Sequence, residues 1–280
     1  MNRNTVIRGM MAVVLTLPLA ACAAQNSALP SSSTSTSTST NASAGTAATA
    51  TNPAHWSYSG DTGPDKWATL DTKFAACANG TEQSPIDIEL SQLKVDKELG
   101  KFETNYKPTA FTLMNNGHTI QANDASGSNT ITIEGKVYTF VQLHFHKPSE
   151  NQINGKTFDM EMHLVHKNSE GNLAVLGVLI KSGSENKQLA EIFSNLPKEE
   201  TKEDLKLDQV IDLNALLPQD KKAFRYKGSL TTPPCSEGVD WTVLEEPIEL
   251  SEKQIQAFGA IFSDNHRPVQ PLNGRAVVTQ

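Results

Sequence analysis

Residues 130–146 read TITIEGKVYTFVQLHFH and alternate apolar with polar side chains on both sides of the pair Glu134-Gly135. Such alternation is typical of strands that bury one face, and an acidic residue followed by glycine favours a tight turn. The stretch therefore predicts two strands connected by a turn. Residues 159–181, DMEMHLVHKNSEGNLAVLGVLIK, predict two further strands that are joined by a turn over residues 168–172.

Helical patterns are fewer. Residues 184–193 (SENKQLAEIF) and residues 251–262 both begin with a serine suited to an N-cap and continue with helical apolar spacing. Proline and glycine interrupt much of the rest. The segment Ala54 to Gln280, about 227 residues, thus predicts one domain made mostly of strands, which is a usual size for a large β-sheet fold.

The N-terminus has the features of an export signal, which we assign to residues 1–22. Arg3 and Arg8 precede the apolar run MMAVVLTLPLA at residues 10–20, which is too short to span a bilayer. The run ends in Leu-Ala-Ala-Cys, a sequence similar to a bacterial lipobox in which Cys22 is lipidated and becomes the mature N-terminus. The alternative is ordinary cleavage near the same small residues, with loss of Cys22.

Residues 23–53 are predicted to form a disordered linker, because SSSTSTSTSTNASAGTAATAT contains no large apolar side chain. Such a tether suits a domain that is held away from a membrane. The whole chain carries a formal charge of −7, and the first fifty-odd residues contain two arginines and no acid, so the remainder is near −9. This net negative charge argues against nucleic acid as a partner, because phosphate binding needs a basic surface.

Two cysteines remain after Cys22, and they are Cys77 and Cys235. An isolated pair in an exported protein predicts a disulfide, and two free thiols are the alternative.

The histidine pair of residues 144 and 146 lies in the second predicted strand. Because a strand has period two, His144 and His146 share a face with Gln142, while Val141, Leu143 and Phe145 share the other face. Two imidazoles at this spacing can chelate one metal ion, although the pattern His-x-His is weak evidence alone.

The next predicted strand, MEMHLVH, offers a third imidazole. Glu161, His163 and Val165 share one face, whereas His166 belongs to the other. Metal-bound histidine usually donates its second ring N–H to a carboxylate or carbonyl. Because Glu161 lies on the face of His163, we predict His163 as the third ligand and His166 as structural. Three neutral histidines would give zinc one open position.

Other metal sites fit the spacing less well. The chain lacks the HExxH pattern of zinc proteases, and Lys147 and Pro148 interrupt a hydrolytic HxHxDH pattern. A cupin pattern of His144, His146 and Glu150 comes close, but the second motif of that family is absent. An exported copper–zinc superoxide dismutase needs more histidines and an aspartate.

Short motifs run through residues 54–280 in a fixed order. They are HWSY at 55–58, QSPIDI at 83–88, NGH at 116–118, QLHFH at 142–146, PSE at 148–150, EMHLVH at 161–166, SLTTPPC at 229–235 and NHRPVQPL at 265–272. In this series the chain closely resembles the α-class carbonic anhydrases of the exported bacterial type, over nearly all of residues 54–280.

The resemblance implies a mainly β (α+β) domain with a large central, twisted, mostly antiparallel sheet and short surface helices. It also implies one zinc ion held by His144, His146 and His163. Thr231 would accept a hydrogen bond from the zinc-bound hydroxide and donate its own to Glu150. Glu150 would then orient the nucleophile and would not be a ligand.

The resemblance assigns supporting roles as well. Gln142, Glu161 and the backbone carbonyl of Asn265 would hold the ligands. The carbon dioxide pocket would be formed by Val165, Val175, Leu230, Thr232, Val239 and Trp241. From the pattern alone, the five apolar members of this set would be core residues.

His118 matches the family's proton shuttle, since an imidazole with a pKa near 6.5 can pass a proton to buffer. Without the resemblance, a lone histidine after Asn-Gly would be a turn residue. His55, His166 and His266 receive no catalytic role, and His266 stands where the family often has tryptophan. The disulfide would stiffen the loop that carries Thr231.

Together these features predict a zinc enzyme that interconverts carbon dioxide and bicarbonate, with small molecules as its partners. We expect it in the periplasm, tethered to the outer membrane through lipid on Cys22. The alternative is a non-catalytic binding protein on the same scaffold, which the loss of any ligand would favour.

Overall fold

The computed structural model describes residues 54–280 apart from residues 101 and 125. The predicted signal segment 1–22, the lipidation site Cys22 and the predicted linker 23–53 lie outside the described residues.

Strands dominate the described part of the chain, as predicted. The strands are β1 Asp87–Ile88, β2 Lys94–Val95, β3 Glu103–Asn105, β4 Thr109–Asn115, β5 Ile120–Asp124, β6 Thr130–Ile133, β7 Lys136–His146, β8 Gln152–Ile153, β9 Met160–Lys167, β10 Leu173–Ser182, β11 Leu205–Ile211, β12 Ala223–Ser229, β13 Glu237–Leu250 and β14 Val278–Thr279. The α-helices are α1 Trp67–Leu70, α2 Ala76–Asn79, α3 Ala190–Ser194 and α4 Glu252–Gly259. Short 3₁₀ helices occupy Gly60–Thr62, Pro64–Lys66, Thr72–Phe74, Leu90–Gln92 and Leu213–Leu216.

One 12-stranded sheet organises the domain, with its main strands in the order β11-β4-β5-β7-β9-β10-β13-β12-β14-β2 and with β3 and β6 joined beside β7. Strands β10 and β13 are parallel, as are β14 and β2, and the other pairs of this sheet among the described residues are antiparallel. The short strands β1 and β8 form a separate parallel pair. The prediction of a large, mostly antiparallel sheet is therefore confirmed. None of the helices described in residues 54–280 is long and apolar enough to cross a membrane.

Both predicted turns are present. Glu134 and Gly135 connect β6 to β7 and have φ values of 50° and 75°. A two-residue hairpin with a type I′ turn requires positive φ at both of these positions. Asn168 closes the second turn, since its backbone N–H donates to Asn172 O at 3.0 Å and its side chain accepts from the N–H groups of Glu170 and Asn172.

The predicted face of Val141 is wrong. The register of β7 against β9 shifts between Phe140 and Gln142, so Val141 occupies a β-bulge and is 43% exposed. The extra residue reverses the alternation at that point. Phe140 therefore shares the buried face of Leu143 and Phe145.

The two predicted helices differ in outcome. Ser251 caps α4 with a full capping box formed with Gln254, and the helix ends at Gly259. By contrast, residues 184–189 are not helical, and α3 begins only at Ala190. The Asn186 side chain accepts from the N–H groups of Gln188 and Leu189, and its backbone pairs with the Gln254 side chain, which holds this segment in a turn.

Each face of the sheet packs into its own apolar cluster. On one face, Phe145, Met162 and Leu164 join the apolar side chains of α3 and α4. On the other face, Val175 and Trp241 belong to a second cluster. Since side chains alternate along β7 and β9, His144, His146 and His163 project away from the first cluster and towards the second, whereas His166 projects towards the first.

Candidate active site

The structure brings together the three histidines chosen from the sequence. His144 on β7 lies opposite His163 on β9, and His146 shares the face of His144. Their ligating nitrogen atoms lie within 4.8 Å of one another. His166 projects to the other face, where the Tyr106 hydroxyl and Nε2 of His166 are hydrogen-bonded at 2.7 Å.

Each of the three imidazoles is oriented through its second nitrogen. Nδ1 of His144 lies 2.9 Å from Gln142 Oε1, and Nδ1 of His146 lies 2.7 Å from the backbone carbonyl oxygen of Asn265. Nε2 of His163 lies 3.0 Å from Glu161 Oε1, without the alignment of a complete hydrogen bond. Gln142, Glu161 and the Asn265 carbonyl, which the resemblance assigns as holders of the ligands, thus each lie against one of the three histidines. Three ring nitrogens remain to face one another, and they are Nε2 of His144, Nε2 of His146 and Nδ1 of His163.

These residues fit a zinc ion. Nε2 of His146 is buried and has no hydrogen-bond partner among the described residues. Burial lowers the pKa of His146 to about 4, and burial also holds the pKa values of His144 and His163 well below their usual range. All three imidazoles are therefore neutral near pH 7, and three neutral nitrogen donors with a free fourth position are a catalytic zinc set.

Glu161 is fixed by a residue that the sequence patterns did not single out. Asn151 donates to Glu161 Oε2 from its backbone N–H at 2.7 Å and to Oε1 from Nδ2 at 2.8 Å. The Glu150 N–H adds a further bond to Oε2 at 2.9 Å, and the Tyr226 hydroxyl donates to Asn151 Oδ1 at 2.9 Å. The carboxylate behind His163 therefore has a defined position, because both of its oxygens are engaged.

Glu150 is buried beside the histidines. Its Oε1 accepts from the Arg267 N–H at 2.8 Å, while Oε2 lies 3.4 Å from Nε2 of His146. Burial raises the pKa of Glu150 to about 8, whereas the nearby Thr231 hydroxyl and the Arg267 N–H act in the opposite direction. Oε2 has no partner with complete hydrogen-bond geometry in the described part of the chain, so it can accept a hydrogen bond from the nearby Thr231 hydroxyl.

The apolar residues predicted for the substrate pocket lie together beside His163. They belong to one cluster, which contains Val165, Val175, Leu230, Val239 and Trp241. The Trp241 ring stands edge-on to the His163 ring with centroids 4.9 Å apart, and its Nε1 donates to the Ser229 carbonyl at 2.9 Å. This wall is apolar and holds no charged side chain.

A cavity of about 120 Å³ opens over His144 and His146. Predicted residues His118, Gln142 and Thr232 line it, together with Trp56, Tyr58, Asn116, Thr119 and Gln121, to which the sequence reasoning gave no role. The His118 ring stacks on the Trp56 ring with centroids 3.6 Å apart and planes 7° apart. Trp56 lies in the quoted motif HWSY, so the resemblance could have pointed to it.

The disulfide predicted between Cys77 and Cys235 is present, with Cα atoms 5.1 Å apart. The Cys235 N–H donates to the Thr232 carbonyl at 2.8 Å, which ties the bridge to the loop of Thr231. Arg267, buried and missed by the sequence reasoning, donates to the carbonyl of Cys77 and to that of Ser84, both at 2.8 Å. Arg267 therefore holds the Cys77 end of the bridge.

Comparisons with known proteins agree with this arrangement. Residues 62–280 match the family model described as eukaryotic-type carbonic anhydrase. The carbonic anhydrase of Klebsiella pneumoniae is 47% identical over 227 residues, covering 80% of this chain and 91% of that protein, and the one of Neisseria gonorrhoeae is 44% identical over 234 residues, covering 83% and 91%. The solved α-carbonic anhydrase of Thermovibrio ammonificans, in complex with the inhibitor sulfanilamide, superposes with a TM-score of 0.78 at 42% identity, covering 81% of this chain and all (100%) of that chain.

Proposed function

The chain belongs to the eukaryotic-type carbonic anhydrase family, and we propose that it catalyses the reversible hydration of carbon dioxide to bicarbonate and a proton. The observation that carries this proposal is the convergence of His144, His146 and His163 beside a cavity, with Glu150 buried next to them.

Zinc is the metal that this donor set suits. His144 and His146 would bind through Nε2 and His163 through Nδ1, since the other ring nitrogens are engaged. When bound, zinc acts as a Lewis acid that makes hydroxide available near neutral pH. Carbonic anhydrases are the known example of this effect, with a pKa of about 7 for the zinc-bound water.

Thr231 and Glu150 orient the nucleophile. Burial raises the pKa of Glu150 to about 8, but the charge of a bound zinc ion would favour its ionised form. Glu150 would then accept a hydrogen bond from the Thr231 hydroxyl, and the Thr231 oxygen would accept a hydrogen bond from the hydroxide. A lone pair of the hydroxide would then face the carbon. The contribution is one of orientation, because no proton is exchanged in this step.

The apolar wall of Val165, Val175, Leu230, Val239 and Trp241 receives the substrate. Carbon dioxide is linear and uncharged, so it needs no charged clamp. The backbone N–H of Thr231 is suited to one of its oxygens, and Thr232 lines the cavity over His144 and His146.

His118 releases the proton. Its ring lines the same cavity as His144 and His146, and an imidazole there can accept a proton through water and pass it to buffer. Stacking on Trp56 defines the ring position from which this transfer starts.

The alternative is a non-catalytic binding protein on this scaffold. Zinc content and carbon dioxide hydration, both measured on the purified protein, distinguish it from an enzyme. The proposal expects one zinc ion per chain together with carbon dioxide hydration. Protein that is folded and zinc-loaded but inactive would instead support the binding protein.

We further propose that the chain is exported to the periplasm and tethered to the outer membrane through lipid on Cys22. The apolar run followed by Leu-Ala-Ala-Cys supports export and lipidation. The disulfide between Cys77 and Cys235 agrees with an oxidising compartment.

A further inference from the structure

The segment that carries Glu200 is fixed against the turn that carries His118. The Thr201 N–H donates to the Asn115 carbonyl at 2.9 Å, and the Asn115 N–H donates to Thr201 Oγ1 at 3.2 Å. Nδ2 of Asn115 donates to the Pro197 carbonyl at 3.0 Å. These contacts join both ends of residues 197–201 to the last residue of β4, immediately before the turn.

The Glu200 carboxylate lies directly over this turn. A Cβ at Gly117 would be 3.6 Å from the Glu200 carboxyl carbon and 3.7 and 3.8 Å from its two oxygens. Gly117 has a φ of 84°, a conformation that glycine adopts without strain, and the Glu200 carboxylate lies at van der Waals distance from this position beside His118. Within the described residues, Glu200 takes part in no side-chain hydrogen bond or ion pair, and its charge is therefore available to the turn.

The groups around His118 shift its pKa in opposite directions. Burial lowers the pKa of His118, the neighbouring His55 lowers it further, and Glu200 acts in the opposite direction. Inside the cavity, His144 and His146 are neutral, and Trp56 covers one ring face without adding charge. Among the described residues, Glu200 is the acidic group that acts on His118, and it lies beside the adjacent Gly117.

We infer that Glu200 is a positioning residue for proton release, whose carboxylate stabilises the protonated form of His118 at the mouth of the cavity. This inference rests on the proton-relay role proposed above for His118. The proton moves from the cavity to the imidazole and then to a buffer base, while Glu200 stays ionised throughout. By opposing burial and His55, the carboxylate keeps His118 basic enough to accept the proton.

The test compares Glu200→Gln with Glu199→Gln, which removes the same charge from the adjacent exposed position. In dilute buffer, Glu200→Gln should lower kcat for hydration by roughly two- to fivefold, the size of one screened charge near a protein surface. The ratio kcat/KM should not change. In an NMR titration of the zinc-loaded protein, the His118 pKa should fall in Glu200→Gln and should move less in Glu199→Gln. High salt should reduce the difference between the two variants.

A second comparison separates this inference from the role of His118. In a His118→Ala background, Glu200→Gln should have no further effect on kcat. If His118→Ala alone leaves kcat in dilute buffer unchanged, the relay itself is wrong. If His118→Ala lowers kcat but Glu200→Gln matches wild type in both kcat and the His118 titration, only the role of Glu200 is overturned.

Discussion

Nε2 of His163 lies 3.0 Å from Oε1 of Glu161, and both oxygens of that carboxylate are held by further donors, two of them on Asn151. The buried carboxylate fixes the ring of His163 so that Nδ1 faces His144 and His146. A partner of this kind raises the basicity of a metal ligand as well as orienting it.

Replacing Glu161 with glutamine should therefore weaken zinc binding without removing a ligand. We expect a loss of about 10- to 100-fold in affinity, the usual cost of losing such a partner. Competition with a chromogenic chelator measures this, with the exposed Glu203→Gln as the control. Unchanged affinity in Glu161→Gln would show that the contact does not support the ligand.

The two histidines of β9 should behave differently. His163→Ala should lose most of its zinc and nearly all activity, because it removes a donor. His166→Ala should keep its zinc, since His166 faces Tyr106 on the opposite side of the strand. Zinc content per folded chain, with folding checked by circular dichroism, decides the matter. The reverse result would mean that His163 and His166 have been assigned to the wrong faces of β9.

Thr231→Val keeps the shape of the side chain and removes its hydroxyl. If Thr231 orients the nucleophile, kcat/KM should fall by about 100-fold, comparable to the cost of misplacing a reacting group. Bound zinc should remain at one ion per chain. Thr231→Ser retains a hydroxyl and should recover most of the rate, and equal damage in both variants would argue for lost packing instead.

The bridge between Cys77 and Cys235 closes a sequence separation of 158 residues. On the chain-entropy account it contributes at most roughly 5 kcal/mol to the free energy of unfolding. The double variant Cys77→Ser with Cys235→Ser should unfold at clearly lower urea concentration and should be less active, because Thr231 lies on the loop tied to Cys235. Reducing the wild-type protein should reproduce both effects. Unchanged stability in the double variant would contradict this role.

If Cys22 carries lipid, the mature protein made in a Gram-negative host should be bound to the membrane. Mass spectrometry of the mature N-terminus should find the lipid on Cys22, and Cys22→Ser should release the enzyme into the soluble periplasmic fraction. A water-soluble wild-type product that begins after Cys22 would remove the tether and leave the enzyme assignment intact.

Much of the site follows from strand periodicity. The alternation in residues 142–146 places His144 and His146 on one face, and the alternation in residues 161–166 separates His163 from His166. Glu161 on the face of His163 then favours His163 as the third ligand, and the pairing of β7 with β9 brings it opposite His144. The bulge at Val141 could not be predicted, because its side chain is apolar and only the register against β9 shows the extra residue. A strict alternation therefore assigned Val141 to the wrong face.

Residues that act through long-range contacts were harder to find. Arg267 reaches Cys77, 190 positions away, and Asn151 bonds to Tyr226, 75 positions away. Nothing local marks an arginine or an asparagine for such a role. Residues 184–189 were predicted as helix because their local pattern is helical, but Asn186 and Gln254 bond to each other across two segments and hold a turn.

The central claim is that the zinc ion held by His144, His146 and His163 enables carbon dioxide hydration. Its most direct test follows hydration by stopped flow in the purified protein, before chelation, after removal of zinc with dipicolinate, and after one equivalent of zinc is returned. The account predicts rapid hydration, its loss with the metal and its recovery at one zinc ion per chain. Hydration that persists in verified zinc-free protein, or that fails to appear in folded protein with zinc bound at these histidines, would contradict it.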